Sequence, residues 1–147
     1  IERVDAKRNK KEVSYYFHTK TSELLGEIHT IFYKDRRKII PEILPQIITP
    51  TMLAVWFMDD GSNTGEGYTL NTHNCSFKEQ TVIREMLRSV FSVDATLVKD
   101  RHQFKLAIGK HHYQTFSEIV EPDIIPSLRY KIAHPRNDLS RINFVTE

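Results

Sequence analysis

Two neighbouring carboxylates, Asp59 and Asp60, end an otherwise apolar stretch of the chain and are followed by Gly61. If the stretch is a helix, its C-terminal end carries partial negative charge, so carboxylates there are unfavourable unless something compensates them. A divalent cation would do so, because hard oxygen ligands suit Mg2+, which also binds phosphate oxygens. Such an ion polarises a phosphoryl oxygen and generates a hydroxide nucleophile. The alternative is a solvated helix end at which the two aspartates merely begin a turn.

The elements around these residues must position them. Thr49 followed by Pro50 predicts a helix start, with a capping side chain and proline at the first helical position. The helix is expected to run to about Asp59. Because it is apolar on nearly every side, we expect it to be buried all round. Gly61 after it suits a left-handed C-terminal stop.

Periodicity predicts the remaining elements. Upstream, residues 13–19 indicate a strand and residues 22–33 a helix, followed by the basic segment 34–38 and a proline-rich connector. Downstream, a strand with a hairpin partner in residues 62–67, a helix with a Ser76–Glu79 capping box, a hairpin and two further helices are expected. These span residues 68–75, 76–91, 95–108, 112–120 and 127–132. The order predicts an α+β fold with an antiparallel sheet.

Composition limits the class of protein. The 147 residues are 39% hydrophobic, enough for one domain with a core, and the formal net charge is +2. That balance allows nucleic-acid binding without requiring it. The single cysteine, Cys75, excludes an intramolecular disulfide, and a cysteine-based zinc site would need more ligands. No apolar run approaches the ~20 residues of a membrane span, so no membrane partner is predicted, and no signal peptide is visible.

A family resemblance starts from residues 53–61, with the sequence LAVWFMDDG. This string resembles the LAGLIDADG motif, in the variant used by intron-encoded homing endonucleases of organelles. Further segments resemble that family in order and spacing: residues 38–41 and 48–50 before the motif, 67–72 after it, and 124–131 as a closing segment. The resemblance extends roughly from Ser14 to Ile132.

The fold that the resemblance implies is a curved antiparallel β-sheet with helices packed on one face. It also implies that the motif helix packs against the motif helix of a second, pseudo-symmetric half. The expected contacts on this side are Leu53, Ala54, Phe57 and Met58, with Gly61 permitting close approach.

The resemblance further implies an active site. Asp60, directly before the glycine, is the expected ligand of Mg2+ (or Mn2+), with Gly61 beside it and Asp59 in a supporting role. Lys131 and Lys38 are expected to assist the water network around the scissile phosphate. Asn71, on the strand that leaves the motif, matches a position that often carries a polar active-site side chain.

DNA contact is expected on the strands, because a two-stranded β-ribbon fits the major groove. Polar side chains of the strands suit base edges and phosphates, although strand polar faces are often simply solvated. The expected contacts are Thr69, Asn71, His73, Lys99, Arg101, Gln103 and Lys105. Arg36 and Arg37 in the basic segment are expected to neutralise phosphates, the alternative being a plain basic surface loop.

The expected organisation is the tail of a preceding half (residues 1–48), a LAGLIDADG core domain (49–132) and a loosely ordered C-terminal tail (133–147). The first acidic motif is absent, so we expect a fragment of a single-chain enzyme that needs a second half or a second copy.

The predicted function is site-specific, metal-dependent cleavage of double-stranded DNA in intron or intein homing. The expected location is intracellular, in a mitochondrion or chloroplast by resemblance. One alternative is an intron maturase that binds RNA with the same fold and cleaves no DNA. Another is an inactive half that only dimerises through its motif helix.

Overall fold

The first elements of the chain form small antiparallel hairpins and one exposed helix. The computed structural model describes residues 2–5, 10–13 and 18–133. Strand β1 (Glu2–Asp5) pairs with β2 (Lys10–Val13), and β3 (Tyr33–Lys34) pairs with β4 (Arg37–Lys38). Most of the strand predicted over residues 13–19, and the predicted tail beyond residue 133, lie outside the described residues.

Helix α1 (Glu23–Phe32) begins as predicted, because the Ser22 side chain accepts a hydrogen bond from the Leu25 backbone N–H. None of its residues is buried. Its apolar stripe instead faces outward, at Leu24, Leu25, Ile28 and Ile31. The amphipathic pattern is therefore present, and its apolar side is exposed.

Helix α3 (Pro50–Asp60) follows the short α2 (Leu44–Ile47) and carries the two aspartates. It begins as predicted, with the Thr49 hydroxyl accepting from the Met52 N–H at 3.2 Å. The prediction for Gly61 was wrong: its φ of −90° and ψ of 154° are extended, and it starts strand β5 (Gly61–Asn63). Glycine is required there for space, because an added Cβ would overlap the Phe57 ring and carbonyl oxygen.

The main sheet has four antiparallel strands in the order β5-β6-β8-β7, with β6 (Tyr68–Leu70), β7 (Ala95–Asp100) and β8 (Gln103–Ile108). Residues 61–63 pair with β6 as its hairpin partner, which was predicted in residues 62–67. Strand β6 is shorter than predicted. It ends at Leu70, and a turn in which the Cys75 N–H donates to the Thr72 carbonyl leads into the next helix.

The register gives the sheet two distinct faces. One face carries the row Gly61, Leu70, Leu106 and Leu97, and the helices pack on it. The opposite face, here called the outer face, carries the row Ser62, Thr69, Ala107 and Thr96. Because side chains alternate along each strand, Val98, Lys105, Asp100 and Gln103 also belong to the outer face.

Helices α3, α4 (Phe77–Phe91) and α5 (Tyr113–Val120) cover the inner face. Both hydrogen bonds of the predicted Ser76–Glu79 capping box are present. Aromatic rings join the layers: Phe57 packs edge-on against Tyr68 and Phe116, and Tyr68 stacks on Tyr113. Burial raises the pKa of Tyr68 far above its usual value.

The predicted α+β architecture is confirmed, with an antiparallel sheet and helices on one face. Short 3-10 turns follow: Lys110–His112 precedes α5, Glu121–Asp123 follows it, and Pro126–Lys131 stands where residues 127–132 were expected to be helical. None of the helices among the described residues has the length and apolar character that a bilayer crossing requires.

Candidate active site

Asp60 is the last residue of α3 and is only partly exposed. Its backbone carbonyl accepts a hydrogen bond from the Asn71 N–H at 3.0 Å. This bond extends the β5–β6 ladder by one step beyond the strands. It fixes Asn71, which leaves β6, beside the carboxylate that ends the helix. Two residues predicted for the active site are therefore neighbours through the backbone.

Lys131 closes the C-terminal end of the same helix from a distant part of the chain. Its Nζ donates to the Met58 carbonyl oxygen at 2.6 Å and to the Gly61 carbonyl oxygen at 3.0 Å. The last carbonyls of a helix lack intrahelical partners, and a cation there also opposes the helix dipole. The carbonyl of Gly61, the only oxygen it offers to a metal, is thus already engaged by Lys131.

A cavity of about 570 Å3 lies between the connector and α3. Its polar end is lined by Lys38, Asp59, Asp60 and Asn71, together with Asn74 and Cys75. The structure thus brings three predicted catalytic residues, Lys38, Asp60 and Asn71, to one cavity, whereas Lys131 does not line it. The remaining wall is largely apolar: Phe32, Ile39, Ile40, Leu44, Ile48, Met52, Val55 and Trp56.

Glu79 links the segment before α2 to the start of helix α4. One carboxylate oxygen accepts from the Ile40 N–H at 2.9 Å, and the other accepts from the Ser76 N–H at 2.7 Å and hydroxyl at 2.6 Å. Burial raises the pKa of Glu79, but these hydrogen bonds outweigh it and hold the pKa below its usual value. Because Lys38 lies two residues before Ile40, this contact helps to keep Lys38 at the cavity.

The residues predicted for the helix contact lie on the side of α3 that faces this chain. Leu53, Ala54 and Phe57 have 0% exposure because they pack into this chain's own core. Met58 is half-buried, and its sulfur accepts a hydrogen bond from the Ile125 N–H at 3.5 Å.

One side of helix α3 is exposed. It carries Met52 (38% exposed), Val55 (55% exposed), half-buried Trp56 and exposed Asp59. The spacing of three, four and seven residues places these four on one side. We call this set the open face.

Several predicted DNA contacts lie together near the tip of the β7–β8 hairpin. Lys105 and Gln103 are on the outer face, and His73 in the loop after β6 reaches Asp100. Thr69 is on the outer face but only 6% exposed. Lys99 is exposed and pairs with Phe104, and alternation along β7 puts it on the inner face with Leu97.

The remaining predicted contacts are at turns and are exposed. Arg101 has a φ of 58° in the β7–β8 turn, and Arg36 has a φ of 63° in the β3–β4 turn, next to Arg37. Two residues that hold others in place, Glu79 and Asp100, were not among the predicted site residues. The capping-box pattern predicted the cap formed by Glu79 but not its contact with Ile40.

The oxygen donors at the cavity fit a hard divalent cation. The Asp60 carboxylate and the Asn71 amide oxygen are the ligand types that Mg2+ takes, and Mg2+ keeps several waters and needs only one or two protein carboxylates. Within residues 18–133, no three side chains of His, Cys, Asp or Glu are grouped as a metal site. The described chain therefore offers part of a ligand set.

Comparison with known proteins gives consistent matches. The model of the LAGLIDADG DNA endonuclease family matches residues 1–116. The chain is 31% identical over 127 residues to the cytochrome b mRNA maturase bI2 of Saccharomyces cerevisiae, covering 80% of this chain and 30% of that protein. It is 30% identical to the intron-encoded endonuclease ai4 of Dictyostelium discoideum, covering 80% of this chain and 76% of that protein.

Among solved structures, the homing endonuclease I-WcaI bound to its DNA recognition sequence superposes with a TM-score of 0.81. Its sequence identity is 24%, and the match covers 91% of this chain and 62% of that one. This likeness establishes the fold. Both the solved endonuclease and the yeast maturase are substantially longer than this chain.

Proposed function

Because the chain belongs to the LAGLIDADG DNA endonuclease family, we propose that it forms one half of a site-specific endonuclease. The reaction is hydrolysis of phosphodiester bonds in double-stranded DNA, as in intron homing. The observation that carries this proposal is the cavity shared by Lys38, Asp60 and Asn71, with the Asp60 carboxylate at the end of the partly buried helix α3.

In this proposal each residue has a separate task. The Asp60 carboxylate, with the Asn71 amide beside it, would hold Mg2+ (or Mn2+). When bound, such an ion would supply charge stabilisation and an activated water at the phosphate. Lys38 provides positive charge near the same phosphate, which favours the negative charge that develops during phosphoryl transfer. Lys131 acts on the backbone of the helix end, because its ammonium already binds two carbonyls there.

The proposed site needs a second half, and two apolar surfaces are consistent with one. The open face of α3 continues into the apolar wall of the cavity, next to Asp60. Helix α1 exposes a second apolar stripe, with Leu24 64% and Ile28 43% exposed. Exposed contiguous apolar surface of this kind marks an interaction site. The proposed occupant is another LAGLIDADG half, from a longer chain or from a second copy.

Double-stranded DNA is the proposed substrate, and the outer face of the sheet is the proposed contact surface. It presents Lys105, Gln103 and the half-buried His73 near one end. Antiparallel strands fit the major groove, and such side chains donate to base edges and phosphates. The exposed Arg36 and Arg37, at the β3–β4 turn, are proposed to contact phosphates.

An RNA-binding maturase remains the second candidate function. The specific observation in its favour is that the 31% identical yeast protein is named a cytochrome b mRNA maturase. The same name supports an organellar, mitochondrial location inside the cell as part of the proposal. Binding to intron RNA would not require Asp60, whereas DNA cleavage would.

The test is nicking of supercoiled plasmids that carry random inserts, with Mg2+ or Mn2+. The molar mass of the protein is measured first by light scattering, so that any cleavage is assigned to a monomer or a dimer. From a dimer, or from the chain joined to a second LAGLIDADG half if it is a monomer, we expect metal-dependent nicking that Asp60→Asn abolishes, while binding to duplex DNA survives. Asp94→Asn is the charge-matched control, since Asp94 lies away from the cavity before β7, and it should nick as the wild type does.

The competing function predicts a different result. If the protein binds structured intron RNA more tightly than any duplex at the same salt concentration, and Asp60→Asn changes nothing, the endonuclease proposal fails. Salt must be matched because phosphate contacts make both affinities strongly salt-dependent.

A further inference from the structure

Three side chains from three parts of the sheet meet near the β7–β8 turn. Asp100 ends β7, Lys105 lies on β8, and His73 lies in the loop that follows β6. The Lys105 Nζ is 2.9 Å from the Asp100 Oδ2, and the His73 Nε2 is 3.2 Å from the same oxygen. Two nitrogen groups therefore converge on one carboxylate oxygen.

The arrangement is held in place rather than loosely exposed. The side chains of Lys105 and His73 are only 26% and 27% exposed, and that of Asp100 is 36% exposed. The hydrogen bond from Lys105, followed in size by the one from His73, keeps the pKa of Asp100 below its usual value. Asp100 is thus a carboxylate anion at neutral pH, and it occupies both donors.

The position of this cluster matters because it lies on the outer face. Lys105 pairs with Val98, and Asp100 pairs with Gln103, so Lys105 and Asp100 are diagonal neighbours on that face. The two donors that a nucleic-acid backbone would use are already bound to an anion of the protein itself. Without a carboxylate partner, a Lys and a His on the outer face would attract phosphates regardless of base sequence.

We propose that the oxygen position held by Asp100 is a site for a phosphate oxygen of duplex DNA, with Asp100 as a built-in competitor. This rests on the proposed function, since it takes the outer face as the DNA surface. A phosphate oxygen must displace the carboxylate to be bound by both Lys105 and His73 at that position. Asp100 therefore lowers the affinity for the DNA backbone at every base sequence. Base contacts then make up a larger share of the total binding free energy.

The experiment measures binding of a non-specific duplex of fixed length by fluorescence anisotropy across a salt series. Asp100→Asn keeps the shape of the side chain but removes its charge. We expect it to bind several-fold more tightly at low salt. We also expect its plot of log affinity against log salt to steepen by about one unit, the change that one additional phosphate contact produces.

The chain offers a matched control in Asp94. Its carboxylate also lies beside a histidine and an arginine, with Oδ2 3.4 Å from the His112 Nε2 and Oδ1 3.7 Å from the Arg88 Nε. Asp94→Asn makes the same change in net charge at the other end of β7. We expect it to leave the salt slope at the wild-type value. Adding Lys105→Met to Asp100→Asn should remove the gain in affinity, because the freed ammonium is then absent.

The salt series with these variants has four distinguishable outcomes. A steeper slope for Asp100→Asn alone supports the competitor role. If Asp100→Asn and Asp94→Asn tighten binding equally, only net charge is at work and the inference is wrong. If the wild type binds duplex DNA and Asp100→Asn does not differ from it, the inference fails and the proposed function stands. If neither binds duplex DNA, the proposed function fails as well. Circular dichroism checks that both variants are folded.

Discussion

The ammonium of Lys131 lies 2.6 Å from the carbonyl oxygen of Met58, which is 73 residues earlier in the chain. The contact ties the closing 3-10 turn to the helix that carries Asp60. A lysine that sequence similarity places in catalysis is therefore, in the structure, bound to the backbone of the helix end.

Lys131→Met should destabilise the protein by ~1–3 kcal/mol, because two carbonyls lose a charged donor. The measurement is the free energy of unfolding from denaturant titration. Lys99→Met is the control, since it removes an exposed lysine of the inner face and should change stability by less than ~0.5 kcal/mol. Equal stability of both variants would show that the Lys131 contact contributes nothing to holding the helix end.

Gly61→Ala should destabilise the fold by ~1–3 kcal/mol through overpacking, because its Cβ would overlap the Phe57 ring. Gly26→Ala, in α1, has nothing within 4 Å of the added Cβ. It should leave the fold intact and favour the helix by ~0.5–1 kcal/mol. Thermal unfolding of the two variants measures both effects. A Gly61→Ala protein as stable as the wild type would contradict the packing explanation.

The two sides of the motif helix should respond differently to truncation. Leu53→Ala removes a fully buried side chain and should cost ~2–5 kcal/mol of unfolding free energy. Val55→Ala, on the open face at 55% exposure, should be nearly neutral in the monomer. Val55→Asp should instead weaken association with a second half, as measured by light scattering or sedimentation. The opposite pattern would restore Leu53 as a contact residue.

Glu79 should make stability pH-dependent. Its pKa is lower in the folded protein than its ordinary value of 4.5, so its contribution is present above about pH 4.5 and is lost as pH falls through the folded-state pKa. Wild type should therefore be more stable than Glu79→Gln at pH 7, and the difference should shrink below pH 4.5. Unfolding titrations across this range measure it. Ser76→Ala is the control that weakens the helix cap while leaving the Ile40 contact.

Local patterns predicted much of this fold. Ser22, Thr49 and Ser76 each cap a helix where the sequence places one, because capping depends on residues three positions apart. The order of helices and hairpins after Pro50 follows from periodicity in the same way. The conformation of Gly61 does not, since a glycine after a helix fits either a left-handed stop or, as here, a close approach to Phe57.

The helix faces and the ionic contacts could not be predicted. Helix α3 is apolar all round, so its sequence does not tell which side meets the chain's own core and which meets a partner. The contact of Lys131 with Met58 depends on tertiary packing, which no local pattern encodes. The contact between Asp100 and Lys105 is easier to predict from sequence, because the register of a hairpin with a two-residue turn makes them diagonal neighbours.

The central row of the outer face, Ser62, Thr69, Ala107 and Thr96, contains no side chain larger than threonine. Larger residues at the exposed Ser62 and Thr96 would extend away from the core, which lies on the other side of the sheet. On the proposed DNA surface, these positions are therefore where a protein engineer has room to introduce side chains for base contacts at little cost in stability. The inner row opposite them is packed and offers no such freedom.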